Sequence, residues 1–201
     1  MIDTVISDLG QVLLHFNNRI FFQKMTQYTR CSVEEIRETA HDNLELLCLF
    51  ELGKIMPVEF YDRIKTALGA NVSYEQFYAD YSDIFALNGP ILKVMAKLKP
   101  KHKLAMISNT DIMRFTFIKN RFPEILIFDG YSLSFDLGLR KPDPEIYRAA
   151  LRSVGSPPES AIFIDDIQEN IESAERLGIK GILFTTGTDL EAELGKFGVK
   201  A

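Results

Sequence analysis

Hydrophobic and polar positions follow two different patterns along the chain. After a short apolar run at its start, residues 17–85 carry apolar side chains at helical spacing, without a run typical of a strand. From residue 90 onward, short apolar runs alternate with amphipathic segments of helical length. Strands separated by helices of this length predict a parallel sheet with helices on both faces. The pattern therefore predicts an α/β fold with a Rossmann-like sheet and an inserted all-helical unit.

The two patterns also predict how the chain divides into domains. Residues 1–16 and 86–201 form the predicted α/β core, and residues 17–85 form the helical insertion. We expect four helices in the insertion, one of which begins at the capping box of Ser32 and Glu35 and continues through Leu47. In the core, we expect strands at residues 4–8, 103–108, 125–129, 161–165 and 181–184.

Acidic residues stand at the ends of two predicted buried strands. Asp8 ends the first strand shortly before Gly10, and Asp165 and Asp166 end the strand that begins at residue 161. The carboxyl ends of parallel strands meet at one edge of a sheet, so these three carboxylates are expected to converge. Close carboxylates repel one another unless a cation or a shared proton neutralises them, and a hard cation prefers oxygen ligands. The sequence therefore predicts a divalent metal site, with Mg²⁺ as the expected ion.

Other polar residues follow predicted strands at the same edge. Ser108 and Asn109 come after the apolar run at 104–107, Lys141 lies in the segment Gly-Leu-Arg-Lys-Pro, and Asn170 follows the acidic pair. A carboxylate nucleophile, a hydroxyl, an ammonium and a metal together meet the needs of phosphoryl transfer, in which charge on the phosphoryl oxygens must be held during an in-line attack. Each motif is common by itself, but the complete set in this order is specific.

These four motifs, with the helical insertion, resemble the haloacid dehalogenase (HAD) superfamily over nearly the whole chain. The first motif, Asp-Leu-Gly, and the last, Phe-x-Asp-Asp-x-x-x-Asn, are most similar to the branch of small sugar-phosphate phosphatases, of the α-D-glucose-1-phosphate phosphatase type. The resemblance implies a HAD-like core, a helical insertion that acts as a cap, and a Mg²⁺-dependent phosphatase that works through an aspartyl-phosphate.

The resemblance also implies roles at the metal site. Asp8 would be the nucleophile and a Mg²⁺ ligand, and the main-chain carbonyl of Gly10 would be a second ligand. Asp166 would bind the metal directly or through water. Asp165 would lie beside it, and Asn170 would orient the loop.

A second group of residues is expected to hold the phosphate, and one residue departs from the family pattern. By resemblance, Ser108 and the Asn109 amide would bind phosphoryl oxygens, and Lys141 would hold both the phosphate and the nucleophile. Most phosphatases of this superfamily have a second Asp two positions after the nucleophile as general acid and base, but this chain has Gly10. General acid help is typically worth ~10²–10⁴ in rate. We therefore expect slow turnover of alkyl phosphates and a preference for anomeric sugar phosphates or acyl phosphates.

Several alternatives stay open on the sequence alone. Histidine can act as a proton donor near neutral pH, so His15 is a candidate replacement, although a lone histidine between Leu14 and Phe16 is more often a packed or solvent-edge side chain. A 2-haloacid dehalogenase uses the same Asp without a metal, and the doubled acid at 165 and 166 argues against it. A phosphomutase needs the residue lost at position 10. A phosphate-binding or regulatory module with little turnover is consistent with Gly10.

Composition limits the partners. The formal charge of −5 argues against a nucleic-acid surface, and no apolar run is long enough to cross a bilayer. Cys31 and Cys48 form no metal-binding spacing, and the first residues lack the features of a secretion signal. We expect a cytoplasmic monomer or homodimer with reduced thiols, no membrane association, and a small phosphorylated metabolite as its ligand.

Overall fold

A five-stranded parallel sheet forms the core of the computed structural model, which describes residues 1–200. Its order is β5-β4-β1-β6-β7, and every neighbouring pair is parallel. The central strand, β1, is buried along its whole length, as expected for an apolar run covered on both faces. The strands of the chain are β1 Thr4–Asp8, β2 Leu14–Phe16, β3 Phe85–Leu87, β4 Lys103–Ser108, β5 Gly130–Leu133, β6 Ala161–Asp165 and β7 Lys180–Leu183.

Helices cover both faces of this sheet and make up the insertion. Side chains alternate along β1, so Val5 joins the apolar cluster on one face and Ile6 the cluster on the other. These features confirm the predicted fold class. No helix within residues 1–200 is both long and apolar enough to span a bilayer. The α-helices are α1 Asn18–Met25, α2 Val33–Asp42, α3 Leu44–Glu51, α4 Pro57–Ala67, α5 Tyr74–Ser82, α6 Gly89–Leu98, α7 Ile112–Arg121, α8 Ser134–Leu137, α9 Pro144–Val154, α10 Gln168–Glu175 and α11 Leu190–Gly195.

Helices α1–α5, which we call the cap, pack around an apolar cluster of their own. Phe50 stacks on Phe60 with ring centroids 4.3 Å apart, and Phe77 is completely buried beneath α5. Met113 of α7 also belongs to this cluster, so the cap packs against the core as well as on itself. Such aromatic burial supplies much of the driving force for folding a unit of this size.

Strands β2 and β3 form a two-stranded antiparallel ribbon at the point where the chain enters and leaves the cap. Phe16 pairs with Phe85 in this ribbon, and their ring centroids lie 6.1 Å apart. The boundary expected at 16/17 lies directly after β2, and the boundary expected at 85/86 lies within β3, after its first residue. Neither strand was expected as part of a ribbon, because each is only three residues long.

The long cap helix expected from Ser32 through Leu47 is wrong. The capping box of Ser32 and Glu35 is present and starts α2, but the helix ends at Asp42. Asn43 has φ −109° and ψ 25°, outside the helical range, and its side-chain amide donates to the Thr39 carbonyl. The Asn43 main-chain N–H donates to the same carbonyl, so Asn43 caps the end of α2 with both groups, and α3 begins at Leu44.

The strand expected at residues 125–129 is also wrong. A 3-10 helix, Pro123–Ile125, occupies the start of this segment, and β5 begins at Gly130. The Asp129 carboxylate accepts from the Leu104 main-chain N–H and so stands where a strand partner would otherwise begin pairing. Gly130 lies against the Ser153 side chain, where a Cβ would have no space. These contacts between distant segments therefore place β5 at Gly130–Leu133, directly after the apolar run at residues 125–129.

Candidate active site

The predicted polar residues converge at one edge of the sheet. Asp8 ends β1, Ser108 ends the neighbouring β4, and Asp165 ends β6 on the other side. The register pairs Asp8 with Ile107 and Ser7 with Ile164, so the three side chains follow one another across the edge. Asp8 and Ser108, together with Asp166 and cap residues, line a cavity of about 860 Å³, open solvent at its mouth included, and Asp165 is buried beside it. This is the position at which ligands bind in open parallel sheets.

Lys141 bridges two of the carboxylates at the base of this cavity. Its Nζ lies 2.7 Å from Asp8 Oδ1 and 2.6 Å from Asp165 Oδ2, and the residue is only 4% exposed. Burial acts to lower the pKa of Lys141, but the two carboxylates outweigh it and raise that pKa overall. The two carboxylates therefore favour the charged form of Lys141, and its ammonium holds the Asp8 side chain in place.

Asp165 fixes its surroundings through both of its carboxylate oxygens. Besides Lys141, it accepts from the Ile167 main-chain N–H at 2.8 Å and from the Asn170 side-chain amide at 3.0 Å, both on Oδ1. Asn170 is itself held because the buried Tyr147 hydroxyl donates to its carbonyl at 3.0 Å. The loop after β6 is thus held by the two hydrogen bonds on Oδ1 of Asp165, while Oδ2 holds Lys141.

Three carboxylates face one another beside this single ammonium. Ligand oxygens of Asp8, Asp165 and Asp166 all lie within 4.8 Å of one another, and Asp166 forms no ion pair with any of residues 1–200. Burial and then Asp165 raise the pKa of Asp166. Burial also raises the pKa of Asp8 strongly, and Asp165 adds to this effect, whereas Lys141 opposes it. Such uncompensated negative charge on oxygen ligands fits a hard divalent cation.

The main-chain carbonyl of Gly10 adds an uncharged oxygen next to this acidic cluster. Gly10 lines the same cavity, and its carbonyl accepts from the Val12 N–H at 2.7 Å, which leaves its second lone pair unused. A Cβ at this position would lie 3.0 Å from the Phe16 ring. Gly10 thus lies in the lining of the cavity with one unused lone pair on its carbonyl oxygen, and the space beside the glycine is narrow.

Ser108 and Asn109 differ in what they can offer a ligand. Ser108 is 3% exposed and lines the cavity with its hydroxyl. The Asn109 side chain is already engaged, since its Oδ1 accepts from the Lys141 N–H at 2.8 Å and its Nδ2 donates to the Lys141 carbonyl at 3.0 Å. The Asn109 side chain thus positions Lys141, and a ligand can use only its main-chain amide.

His15 does not face the nucleophile. It is exposed on β2 and borders another depression together with Gln11, Asp166 and Thr185, of which Asp166 also lines the cavity above Asp8. The alternation of side chains along the ribbon explains this position, because its neighbours Leu14 and Phe16 point inward. The structure therefore gives His15 no contact with the cavity above Asp8.

Contacts between cap and core close the cavity from above, and sequence reasoning missed most of them. The Tyr81 hydroxyl of the cap donates to Asp111 Oδ2 at 2.9 Å, and Asp111 is completely buried. Arg114 of α7 donates to Asn18 Oδ1 at 2.9 Å and lies 4.1 Å from the centroid of the Tyr81 ring. The local sequence could have indicated Asp111 only as the N-cap of α7, and not as a partner of the cap.

A second set of contacts joins α3 to the loop that carries Lys141. Arg140 donates to Cys48 Sγ at 2.7 Å and lies 3.4 Å from Glu51 Oε2. Burial raises the pKa of Glu51, an effect that Arg140 partly offsets. Glu51 lines the cavity above Asp8, so the cap contributes a carboxyl group to it.

Comparisons with known proteins agree with this geometry. A family model described as haloacid dehalogenase-like hydrolase matches residues 2–178. A sesquiterpene phosphatase, astK of Aspergillus oryzae, is 26% identical over 90% of this chain and 88% of its own length. A D-ribitol-5-phosphate phosphatase of Bacteroides thetaiotaomicron is 22% identical over 96% of this chain and 97% of its own length.

A solved structure is similar over almost the whole chain. The crystal structure of a HAD family enzyme from Bacteroides thetaiotaomicron, in complex with magnesium and inorganic phosphate, has a TM-score of 0.85 and 27% identity, covering 96% of this chain and 99% of that one. Several other curated relatives are much longer, and this chain spans 24–36% of their length.

Proposed function

Because the chain belongs to the haloacid dehalogenase-like hydrolase family, we propose that it is a Mg²⁺-dependent phosphatase that acts on a small organophosphate through an aspartyl-phosphate on Asp8. One observation carries the proposal. Lys141 bridges Asp8 and Asp165, and Asp166 lies within 4.8 Å of both carboxylates. The named activities of two relatives and the magnesium and phosphate bound to a third support it.

Asp8, Asp166 and the Gly10 carbonyl would hold the metal ion. Asp165 has both oxygens engaged and would instead keep Lys141 and the loop in position. When bound, Mg²⁺ would neutralise the acidic cluster and orient the phosphoryl oxygens. The donor set is entirely oxygen, which suits this ion.

The residues of the chain then divide the chemistry between them. The Asp8 carboxylate attacks phosphorus, the bond from phosphorus to the leaving group breaks, and the leaving group departs with the electron pair. Lys141, the Ser108 hydroxyl and the Asn109 main-chain N–H donate to the phosphoryl oxygens while charge develops there. Water next attacks phosphorus of the aspartyl-phosphate, which releases inorganic phosphate and restores Asp8.

Gly10 sets the leaving-group preference of the proposed enzyme. Without a carboxyl group at this position, the leaving group departs without protonation by the residue that usually supplies it. Acyl phosphates and anomeric phosphates have the more stable leaving groups, so they are the favoured substrates, and primary alkyl phosphates are the slow ones.

The third carboxylate, Asp166, supports this proposal over a metal-free dehalogenase.

A phosphate-release screen tests the proposal. Sugar, nucleotide and acyl phosphates are incubated with the full chain, with and without Mg²⁺, and with the variants Asp8→Asn and Asp62→Asn. We expect Mg²⁺-dependent release that Asp8→Asn abolishes and that the change of the exposed Asp62 leaves intact. Halide release from a 2-haloacid without Mg²⁺ would instead support a dehalogenase. Phosphate binding without any release would support a binding module.

Two further expectations accompany this function. The cytoplasmic location and the monomeric or homodimeric state stay predictions. The division into a core of residues 1–16 and 86–201 and a cap of residues 17–85 also stays a prediction.

A further inference from the structure

A second cavity lies inside the cap, next to the cavity above Asp8. It encloses about 590 Å³, open solvent at its mouth included, between α1, α2, α3 and α4. Its walls are mainly apolar and include Phe21, Phe22, Ile36, Phe60 and Ile64. The two cavities adjoin, because Asn18, Leu47 and Arg114 line both of them.

Most polar side chains of this cap cavity already form at least one hydrogen bond within the chain. Thr39 donates to the Glu35 carbonyl, and the Asn43 amide donates to the Thr39 carbonyl. Asn18 accepts from Arg114. A sugar placed here would bury several hydroxyl groups without partners, at a cost of about 1–3 kcal/mol each by general experience with buried polar groups. An apolar group would instead gain from leaving water.

Arg114 stands at the boundary between the two cavities. Its guanidinium lies over the Tyr81 ring, and its buried Nε has no hydrogen-bond partner among the described residues. This Nε lies 3.9 Å from Oδ2 of the buried Asp111 and forms an ion pair with that carboxylate. The guanidinium, which lines both cavities, thus marks a charged boundary between the apolar cavity and the site proposed for the phosphate.

We infer that the cap cavity binds an apolar chain or ring of the leaving group, so that the substrate is the phosphate of an apolar alcohol or carboxylic acid. The inference rests on the proposed function for the position of the phosphate. It narrows the substrate class, because the acyl or other easily departing group favoured by Gly10 would also be apolar. A sugar leaving group matches the cap cavity poorly.

Binding of alkylphosphonates tests the inference without turnover. The full chain with Mg²⁺ is titrated calorimetrically with butylphosphonate and with octylphosphonate. Each methylene that leaves water strengthens binding by up to about fourfold. We expect octylphosphonate to bind at least about tenfold more tightly than butylphosphonate. Equal affinities overturn the inference, and this result does not depend on the folding of any variant.

Two matched variants locate the effect. Ala40 lines the cap cavity on α2, and Ala67 is exposed on α4, so Ala40→Phe fills the cavity and Ala67→Phe does not. We expect Ala40→Phe to reduce the ratio of the two affinities toward one and Ala67→Phe to retain it. An unchanged ratio in folded Ala40→Phe overturns the inference.

Hydrolysis of acetyl phosphate separates the inference from the proposed function. Acetyl phosphate has almost no apolar chain, so its Mg²⁺-dependent hydrolysis tests the chemistry at Asp8 alone. If neither acetyl phosphate nor octanoyl phosphate is hydrolysed, while octylphosphonate binds much more tightly than butylphosphonate, the phosphatase is refuted and the apolar site is retained. Hydrolysis of acetyl phosphate without any preference for the longer phosphonate would support the phosphatase and refute the apolar site.

Discussion

Replacing Lys141 by methionine gives three separate effects that follow from the geometry of the acidic cluster. The ammonium contacts carboxylates at 2.7 and 2.6 Å, and its side chain is 2% exposed. Removal of one partner from a buried ion pair costs about 3–5 kcal/mol in stability, because the other charge is left buried and unpaired. With two carboxylates affected, we expect the free energy of unfolding without Mg²⁺ to fall by about that amount.

The same variant should bind Mg²⁺ more tightly than the wild type. Two unit charges about 4 Å apart interact by about 4 kcal/mol at the effective dielectric constant typical of such sites. The loss of a cation next to Asp8 and Asp165 should therefore increase the Mg²⁺ affinity by about tenfold or more. Phosphate release should nevertheless fall by about 10²–10³, since a donor to the phosphoryl oxygens is lost.

Three measurements on Lys141→Met check these effects. Urea unfolding with EDTA gives the stability, calorimetric titration gives the Mg²⁺ affinity, and phosphate release gives the activity. Lys196→Met is the matched control, because Lys196 also lies 2.7 Å from a carboxylate, that of Glu193, but is 65% exposed. It should change stability by less than about 1 kcal/mol. A Lys141→Met protein as stable as the control, or one that is folded and binds Mg²⁺ more weakly than the wild type, refutes the reasoning.

Three further predictions concern the proton donor, pH and the cap. Gly10→Asp should raise kcat for a primary alkyl phosphate at least about tenfold. The gain should stay below the full ~10²–10⁴ of general acid catalysis, because the new Cβ would lie 3.0 Å from the Phe16 ring, which must shift. A folded, Mg²⁺-binding variant that releases phosphate no faster contradicts the proton-donor account. Burial raises the pKa of Asp8, so the folded protein holds the proton of this carboxyl group more tightly than the unfolded chain does. Without Mg²⁺, the free energy of unfolding should therefore fall as pH rises from the ordinary carboxyl pKa through the raised pKa of Asp8. Urea unfolding at a series of pH values measures this slope, and Asp8→Asn should reduce it; an equal slope in both proteins counts against a buried, proton-binding Asp8. Tyr81→Phe should cost about 1–3 kcal/mol in thermal unfolding, since the buried Asp111 carboxylate loses a donor, and an unchanged Tm would mean that this contact does not stabilise the closed cap.

The sequence could predict the catalytic edge because each residue there is determined by its own strand. Asp8, Ser108 and Asp165 end buried apolar runs, and parallel pairing alone brings strand ends together. The inference needed only the spacing of strands and helices. Lys141 lies in a loop, and its position depended on the motif rather than on periodicity.

Other features could not be predicted because they arise from contacts between distant segments. The break at Asn43 depends on how α2 and α3 pack, since the local sequence would also suit a continuous helix. The shift of β5 depends on the Asp129 carboxylate and on the close approach of Ser153 to Gly130. Likewise, the cap cavity exists only between helices whose relative placement no local pattern encodes.

The ribbon of β2 and β3 has a consequence for how such proteins diversify. The chain leaves the sheet at Phe16 and returns at Phe85, and these residues face each other as partners across the ribbon. The two ends of the inserted segment are thus already side by side, at a separation independent of what lies between them. Evolution can exchange or enlarge that segment without disturbing the pairing of the sheet below. New selectivity can then be acquired while the reaction centre is inherited intact.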